Sequence, residues 1–174
     1  MLSPKLEVGQ SAIAGMGFFA KEAISAGELL WEADQDAPLI SLSEWFAMPH
    51  SDRSYYSQYD DNRLVLNNQT EWPWNHSCDP NCVCKGRLIQ ALRDIASGEE
   101  VTYDYGFCEI ARDWKMTCHC SMPLCRGTVS NQDFLIKGLQ QRYHGHIPPY
   151  VQRAIARSGA NGTVPATARE KPWL

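Results

Sequence analysis

No stretch of this chain approaches the roughly 18 consecutive apolar residues that a membrane-spanning helix requires, although 44% of its residues are hydrophobic. The apolar residues are scattered, as in a soluble globular protein, and no membrane partner is expected. Missing too is any clustered run of Lys and Arg: 16 basic residues stand against 20 acidic ones, for a formal charge of -4 and a pI near 5.7. Direct nucleic-acid binding by phosphate neutralisation is therefore not expected, whereas an acidic balance tolerates a basic partner. The opening MLSPKLEVGQSAIAG lacks the basic patch, apolar core and small-residue cleavage site of a secretory leader. An intracellular setting, cytoplasmic or nuclear, is the expectation. There is no internal repeat and no low-complexity tract. At 174 residues the chain has room for one domain with a small appendage and none for a second catalytic domain.

Cysteine, by contrast, is plentiful. Seven is an odd number, and in a reducing compartment thiols more often bind metal or do chemistry than pair as disulfides. They fall in clusters: Cys78, Cys82 and Cys84, then Cys108, then Cys118, Cys120 and Cys125. In CHCSMPLC the C-x-C-x4-C spacing brings three thiols onto one tight loop, one ligand short of a tetrahedral zinc site. By residue type the candidates for the fourth are Cys78, Cys82, Cys84, Cys108 and His119. The plainer alternative is three reduced, half-buried thiols.

Residues 11–32 read as two short strands joined by turns, with Gly15, Gly17 and Gly27 breaking the apolar runs. Residues 41–59 open on an N-capping Ser41 and a short helix that Pro49 ends. RLVLN (63–67), GRLIQALRDI (86–95) and EEVTYDYGF (99–107) read as strands. Beyond Cys125, the residues Phe134, Leu135, Leu139 and Tyr143 mark one face of a helix over 133–143, and the prolines at 148 and 149 open a second. The two are expected to form a hairpin on the strand-rich body. Residues 159–174, rich in Gly, Ala, Thr and Pro, are expected to be a mobile tail.

Four motifs follow one another in order: AGMGFFA (14–20), NHSCDPN (75–81), GEEVTYDYGF (98–107) and CHCSMPLCRG (118–127). Together they resemble the SET-domain protein lysine methyltransferases that carry a cysteine-containing post-SET segment. The resemblance spans residues 11 to about 130, and the helical end is similar to appendages on small stand-alone members. It implies a mainly β fold of the β-clip type, with several small, mostly antiparallel sheets around a pseudoknot where the NHSC and DYGF segments lie side by side. The implied division is 6–110 for the SET domain, 111–130 for the post-SET zinc segment, 131–158 for a helical appendage and 159–174 for the tail. The implied activity is transfer of methyl from S-adenosylmethionine to the ε-amine of a lysine in a histone-like or other protein. The alternative is a SET-like zinc-binding module that holds protein partners with little turnover.

The resemblance also assigns residues. Cys78 joins Cys118, Cys120 and Cys125 around one structural zinc, which staples the loop over the mouth of the site; Cys82, Cys84 and Cys108 are then small buried hydrophobes. Gly15, Met16 and Gly17 face the methyl donor, where glycines let the backbone approach closely. Asn75 is implied as a donor contact through side chain and backbone, and His76 largely through backbone, although a buried histidine that fixes the loop would read the same way. The reaction itself demands a neutral amine held in line with a sulfonium methyl while water is excluded. Deprotonating a lysine at pH 7 costs roughly 4 to 5 kcal/mol, and a narrow apolar channel lowers that cost. Tyr105 matches the family's catalytic tyrosine. Tyr103 matches the Tyr-or-Phe position that sets how many methyls are added, here implying mainly monomethylation with some dimethylation, and Phe107 is implied as a further channel wall. Apart from the neighbouring motifs, two tyrosines packed in a core strand would be the plainer account.

Three departures stand out. EWPW (71–74) replaces the family's Arg-Phe-x before NHSC, leaving open how Trp72 and Trp74 pack. Trp114 reads equally as a pocket wall or a packing residue. Ser121 stands where a glycine usually follows C-x-C. With no long insert and no cysteine-rich region ahead of the domain, substrate recognition is expected in a shallow groove between residues 39–66 and the post-SET loop.

Overall fold

The computed structural model describes residues 1–67 and 73–160; Trp72 and residues 161–174 of the expected tail lie outside the described residues. The chain opens with an antiparallel hairpin of β1 (Leu6–Gln10) and β2 (Met16–Ala20), in which Gly9 faces Gly17. Next come β3 (Leu29–Glu32) and β4 (Leu39–Ser41), and then α1 (Leu42–Ala47). Ser41 caps α1 reciprocally: its hydroxyl accepts the Glu44 N–H and the Glu44 carboxylate accepts the Ser41 N–H, so two orphan donors are satisfied. The helix ends at Met48, just before Pro49. A 3-10 turn at His50–Tyr55 leads into β5 (Tyr56–Gln58) and β6 (Arg63–Leu66).

The second half is built from still shorter pieces: β7 (Asn75–His76), β8 (Cys82–Lys85), β9 (Leu88–Ala91) and β10 (Glu100–Tyr103), which runs into a 3-10 turn at Tyr105–Phe107. β11 (Lys115–Thr117) and β12 (Thr128–Ser130) flank the cysteine loop. A 3-10 turn at Asp133–Leu135, α2 (Lys137–Arg142) and α3 (Pro149–Ala160) follow. Among the described residues these strands form four small sheets, in the orders β1-β2-β10-β7, β3-β9-β8, β4-β6-β5 and β11-β12. All pairings are antiparallel except β7 with β10, which run parallel and bring the NHSC and DYGF segments side by side.

The main core gathers Phe18, Leu30, Trp31, Trp74, Ile89, Ile95, Val101 and Tyr103 between the first two of these sheets. Each large apolar side chain removed from water there contributes roughly 1.5 to 3 kcal/mol. A separate cluster of Phe107, Phe134, Leu139, Tyr143, Tyr150 and Val151 seats the C-terminal helices. The expected helix over 133–143 is broken into a 3-10 turn and α2, because Ile136 adopts extended dihedrals between them. Likewise 86–95 keeps only four strand residues, and 99–107 turns at Asp104, whose side chain accepts the Gly106 N–H and starts the 3-10 turn. No helix among the described residues is long and apolar enough to cross a membrane.

Candidate active site

The register of β7 on β10 sets Asn75 beside Thr102 and His76 beside Tyr103. The Asn75 amide nitrogen reaches the carbonyls of Ala14 (3.1 Å) and Met16 (3.0 Å) and the Glu100 carboxylate (2.7 Å). Three acceptors thus converge on a group with two protons, which leaves acceptor capacity for a cationic donor such as an ammonium. Ser11 donates to the same Glu100 carboxylate (2.8 Å) and accepts from Ile13 N–H, so the loop before β2 is tied down at both ends. A Cβ at Gly17 would sit 2.3 Å from Glu100 Oε1 and 3.2 Å from Asn75 Nδ2, so a larger residue there would push aside the two side chains that hold this loop. Gly15, at φ 50°, occupies the left-handed region at no steric cost.

The sulfurs of Cys78, Cys118, Cys120 and Cys125 all lie within 4.8 Å of one another. Cys78 Sγ and Cys118 Sγ are 3.7 Å apart, close to the ~3.8 Å edge of a tetrahedron with zinc–sulfur bonds of about 2.3 Å. Each sulfur also receives one backbone N–H: Cys78 from Arg126 (3.3 Å), Cys118 from Cys120 (3.5 Å), Cys120 from Cys78 (3.5 Å) and Cys125 from Gly127 (3.4 Å). Four N–H groups aimed at four sulfurs suit thiolates gathered on a divalent cation. Burial pushes the Cys118 thiol up to about 12; at Cys120 it acts in the same direction but is outweighed by hydrogen bonds, leaving that thiol at about 7. Cys82, Cys84 and Cys108 stand apart in or beside the main core as buried free thiols.

Between the sulfurs and the tyrosines lies a buried polar network. Arg126 grips Asp104 with two parallel bonds of 2.7 and 2.6 Å, and Tyr143 O–H donates to the same carboxylate at 3.0 Å. Burial opposes the Asp104 charge, but the guanidinium wins and holds the carboxyl below the usual range. Asp133 approaches Arg126 Nε to 2.8 Å without hydrogen-bond alignment, and its pKa is raised, chiefly by burial. His76 accepts the Tyr105 N–H on Nδ1 (3.2 Å), and its Nε2 lies 3.4 Å from Cys78 Sγ. Burial lowers its pKa to about 4.

A cavity of about 320 Å³ opens beside this network, lined among others by Trp45, Tyr56, Tyr103, Tyr105, Glu109 and Trp114. Tyr103 and Tyr105 are in tilted contact at 5.0 Å, and Tyr105 O–H donates to the Trp74 carbonyl at 2.5 Å. Burial raises both phenols well above their ordinary value, so they stay protonated at neutral pH. They can orient a guest but cannot act as bases. Glu109, the carboxylate in the wall, is engaged by Arg112 and by the Gln58 N–H.

The SET domain family model matches residues 15–106, more than half of the chain. The chain is therefore a SET-domain protein. The curated relatives include a histone-lysine N-methyltransferase, ATX2, of Arabidopsis thaliana, 33% identical in an alignment over 150 residues that covers 74% of this chain and 13% of that protein. The H3 lysine-4 specific histone-lysine N-methyltransferase of Saccharomyces cerevisiae is 34% identical over 138 residues, 70% of this chain and 13% of that one. This SET domain thus spans about an eighth of the length of such relatives. A crystal structure of KRYPTONITE in complex with mCHG DNA and SAH shares the fold, with a TM-score of 0.54 and 23% identity, covering 73% of this chain and 29% of that one.

Within the SET domain, Asn75 gathers Gly15, Met16 and Gly17, and the four cysteines converge as a set. Tyr103 and Tyr105 share the cavity wall. Phe107 does not join them: it packs on Tyr143 at 4.6 Å in the C-terminal cluster. In a 3-10 turn, residues two apart point to different sides, and Gly106 lies tight against Asp133, so of the turn's two aromatic residues Tyr105 faces the cavity and Phe107 does not. Trp74 is a core residue against Phe18 (4.7 Å), whereas Trp114 lines the cavity and donates its indole N–H to the Glu109 carbonyl (2.6 Å). Asp61 pairs with Arg153 and Arg157 of α3. Sequence reasoning passed over Asp104 and Arg126, although both stand inside quoted motifs. It also passed over Glu100, again inside a quoted motif, and the Trp45 wall, where no local pattern signals the role.

Proposed function

We propose that this SET domain transfers methyl from S-adenosylmethionine to the ε-amine of a lysine in a protein substrate, mainly once per lysine with some second transfer. The observation that carries the reading is the joint placement of a donor-type loop held by Asn75 and an aromatic cavity walled by Tyr103 and Tyr105. When bound, S-adenosylmethionine supplies an electrophilic methyl on a sulfonium. The Ala14 and Met16 carbonyls, Asn75 and Glu100 offer acceptors to its ammonium. The backbone at Gly15, Met16, Gly17 and His76 borders the ligand, while the His76 ring turns to Tyr105. Tyr105 orients the amine. Because neither phenol titrates near neutrality and Glu109 is engaged, the lysine has to lose its proton on entering this apolar channel.

Zinc is the metal we assign to Cys78, Cys118, Cys120 and Cys125, as a structural ion. We read residues 6–110 as the catalytic unit, 111–130 as the metal segment and 131–158 as its helical support. Relatives named for histone lysines make a basic histone-like protein the first substrate class to test, in an intracellular, chromatin-associated setting. Direct nucleic-acid contact does not form part of the reading.

The Tyr103 hydroxyl restricts the space beside the amine, and Tyr103→Phe tests this. Mass spectrometry of products should move from mono- towards di- and trimethyl-lysine; an unchanged distribution would remove Tyr103 from the role.

A further inference from the structure

We infer that His76 and Arg126 are positioning residues that couple the four-cysteine centre to the turn carrying Tyr105, so that metal occupancy sets the geometry of the proposed catalytic tyrosine. The inference rests on the zinc and methyl-transfer reading above and adds a connection between its two parts.

Cys78 Sγ is the node. One arm is the imidazole: Tyr105 N–H donates to His76 Nδ1, which leaves Nε2 as the nitrogen that carries a proton toward Cys78 Sγ, 3.4 Å away. The same ring rests against Tyr105 at 5.4 Å between centroids. The other arm is Arg126. Its backbone N–H donates to Cys78 Sγ, while its guanidinium forks onto Asp104, the residue before Tyr105. Asp104 in turn accepts Gly106 N–H and Tyr143 O–H, so its carboxylate fixes both the turn and α2's end. Asp104 and the His76 and Arg126 side chains are almost wholly buried. A buried ion pair with every lone pair engaged holds one geometry, and breaking one partner is strongly destabilising. A donor on a metal-bound thiolate steadies the ligand, and losing such a partner typically costs 10- to 100-fold in metal affinity.

The test uses the full chain loaded with Co2+ in place of Zn2+ and three readouts: thiolate-to-cobalt charge-transfer bands, hydrogen exchange of the Tyr105 amide, and methyl-transfer kinetics beside S-adenosylhomocysteine affinity. His76→Phe keeps a ring against Tyr105 but removes both nitrogens. It should shift the bands to lower energy, weaken metal retention by about 10- to 100-fold and deprotect the Tyr105 amide. It should also lower kcat by roughly 10- to 100-fold with homocysteine-product affinity nearly unchanged. His76→Gln, whose amide can stand in for Nε2–H, should restore the bands and metal retention. Arg126→Lys keeps the backbone N–H and a positive charge but loses the fork, so the bands should stay while kcat falls.

Unchanged bands in His76→Phe together with weaker S-adenosylhomocysteine binding would make the ring a donor contact and overturn the inference. Shifted bands with an unaltered Tyr105 amide would show a metal link that goes no further, and would also overturn it. A wild-type protein that transfers no methyl would instead defeat the functional reading, while the bands and the amide still decide the coupling.

Discussion

The body of the molecule and the segment that overhangs its cavity are built on different principles. In the body, β7, β8 and β10 are buried almost throughout, and their polar groups are each engaged several times: Asn75 by three acceptors, Asp104 by Arg126, Tyr143 and Gly106. The overhanging stretch from α1 through the 3-10 turn has no buried residue at all, and it exposes Phe46 (56%) and Tyr55 (39%). What holds it is a cap, side-chain bonds from Arg53 to the Phe46 and Met48 carbonyls, and the Trp45 indole between the guanidiniums of Arg53 (4.9 Å) and Arg112 (4.6 Å). The chemistry is thus over-determined. The surface beside it is free to follow a substrate, at little cost in stability.

Changes in the body should therefore be felt in folding, and changes in the overhang in substrate affinity. The largest effect belongs to the metal. Chelation should release the loop at 118–127 and lower the melting temperature by about 10 °C or more, read by calorimetry with and without added Zn2+. Phe107→Ala comes next, at about 3 to 5 kcal/mol of stability, measured by denaturant unfolding. Because Phe107 faces the C-terminal cluster, the folded fraction should keep the parent product distribution, and an altered one would return Phe107 to the channel wall.

Smaller effects follow. Ser121 sits at φ 55°, in the left-handed region, so Ser121→Gly should stabilise the metal loop by about 1 kcal/mol, seen as slower zinc loss to a chelator. Arg53→Ala, in the overhang, should cost only ~0.5 to 1 kcal/mol in stability but raise KM for the protein substrate severalfold with kcat kept. A fall in kcat instead would erase the division between the two regions.

Much of the site was legible in the motifs, because backbone-close glycines, a thiol set and a tyrosine pair are chemical demands that leave residue-level traces. The fold was legible less evenly. β2, β6 and the Ser41-capped helix carry local signals. β7 and β8 do not: at two and four residues, buried on both faces, they show no alternation. Their pairing is decided by distant partners. The turn of Phe107 away from the cavity is likewise tertiary, with Gly106 tight against Asp133. Arg126 was visible as a letter of a motif, but its grip on Asp104 spans 22 residues of chain and exists only in the fold.

The proposed reaction is methyl transfer to a protein lysine at the Tyr103–Tyr105 cavity. Incubation of the full chain with labelled S-adenosylmethionine and a histone-type substrate, followed by peptide mapping, tests it most directly, with Tyr105→Phe as the matched variant. Methyl-lysine is expected from the wild type and a loss on the order of 100-fold or more in Tyr105→Phe, with S-adenosylhomocysteine still bound by both. Product binding without any transfer by the wild type, across a panel of basic proteins, would contradict it.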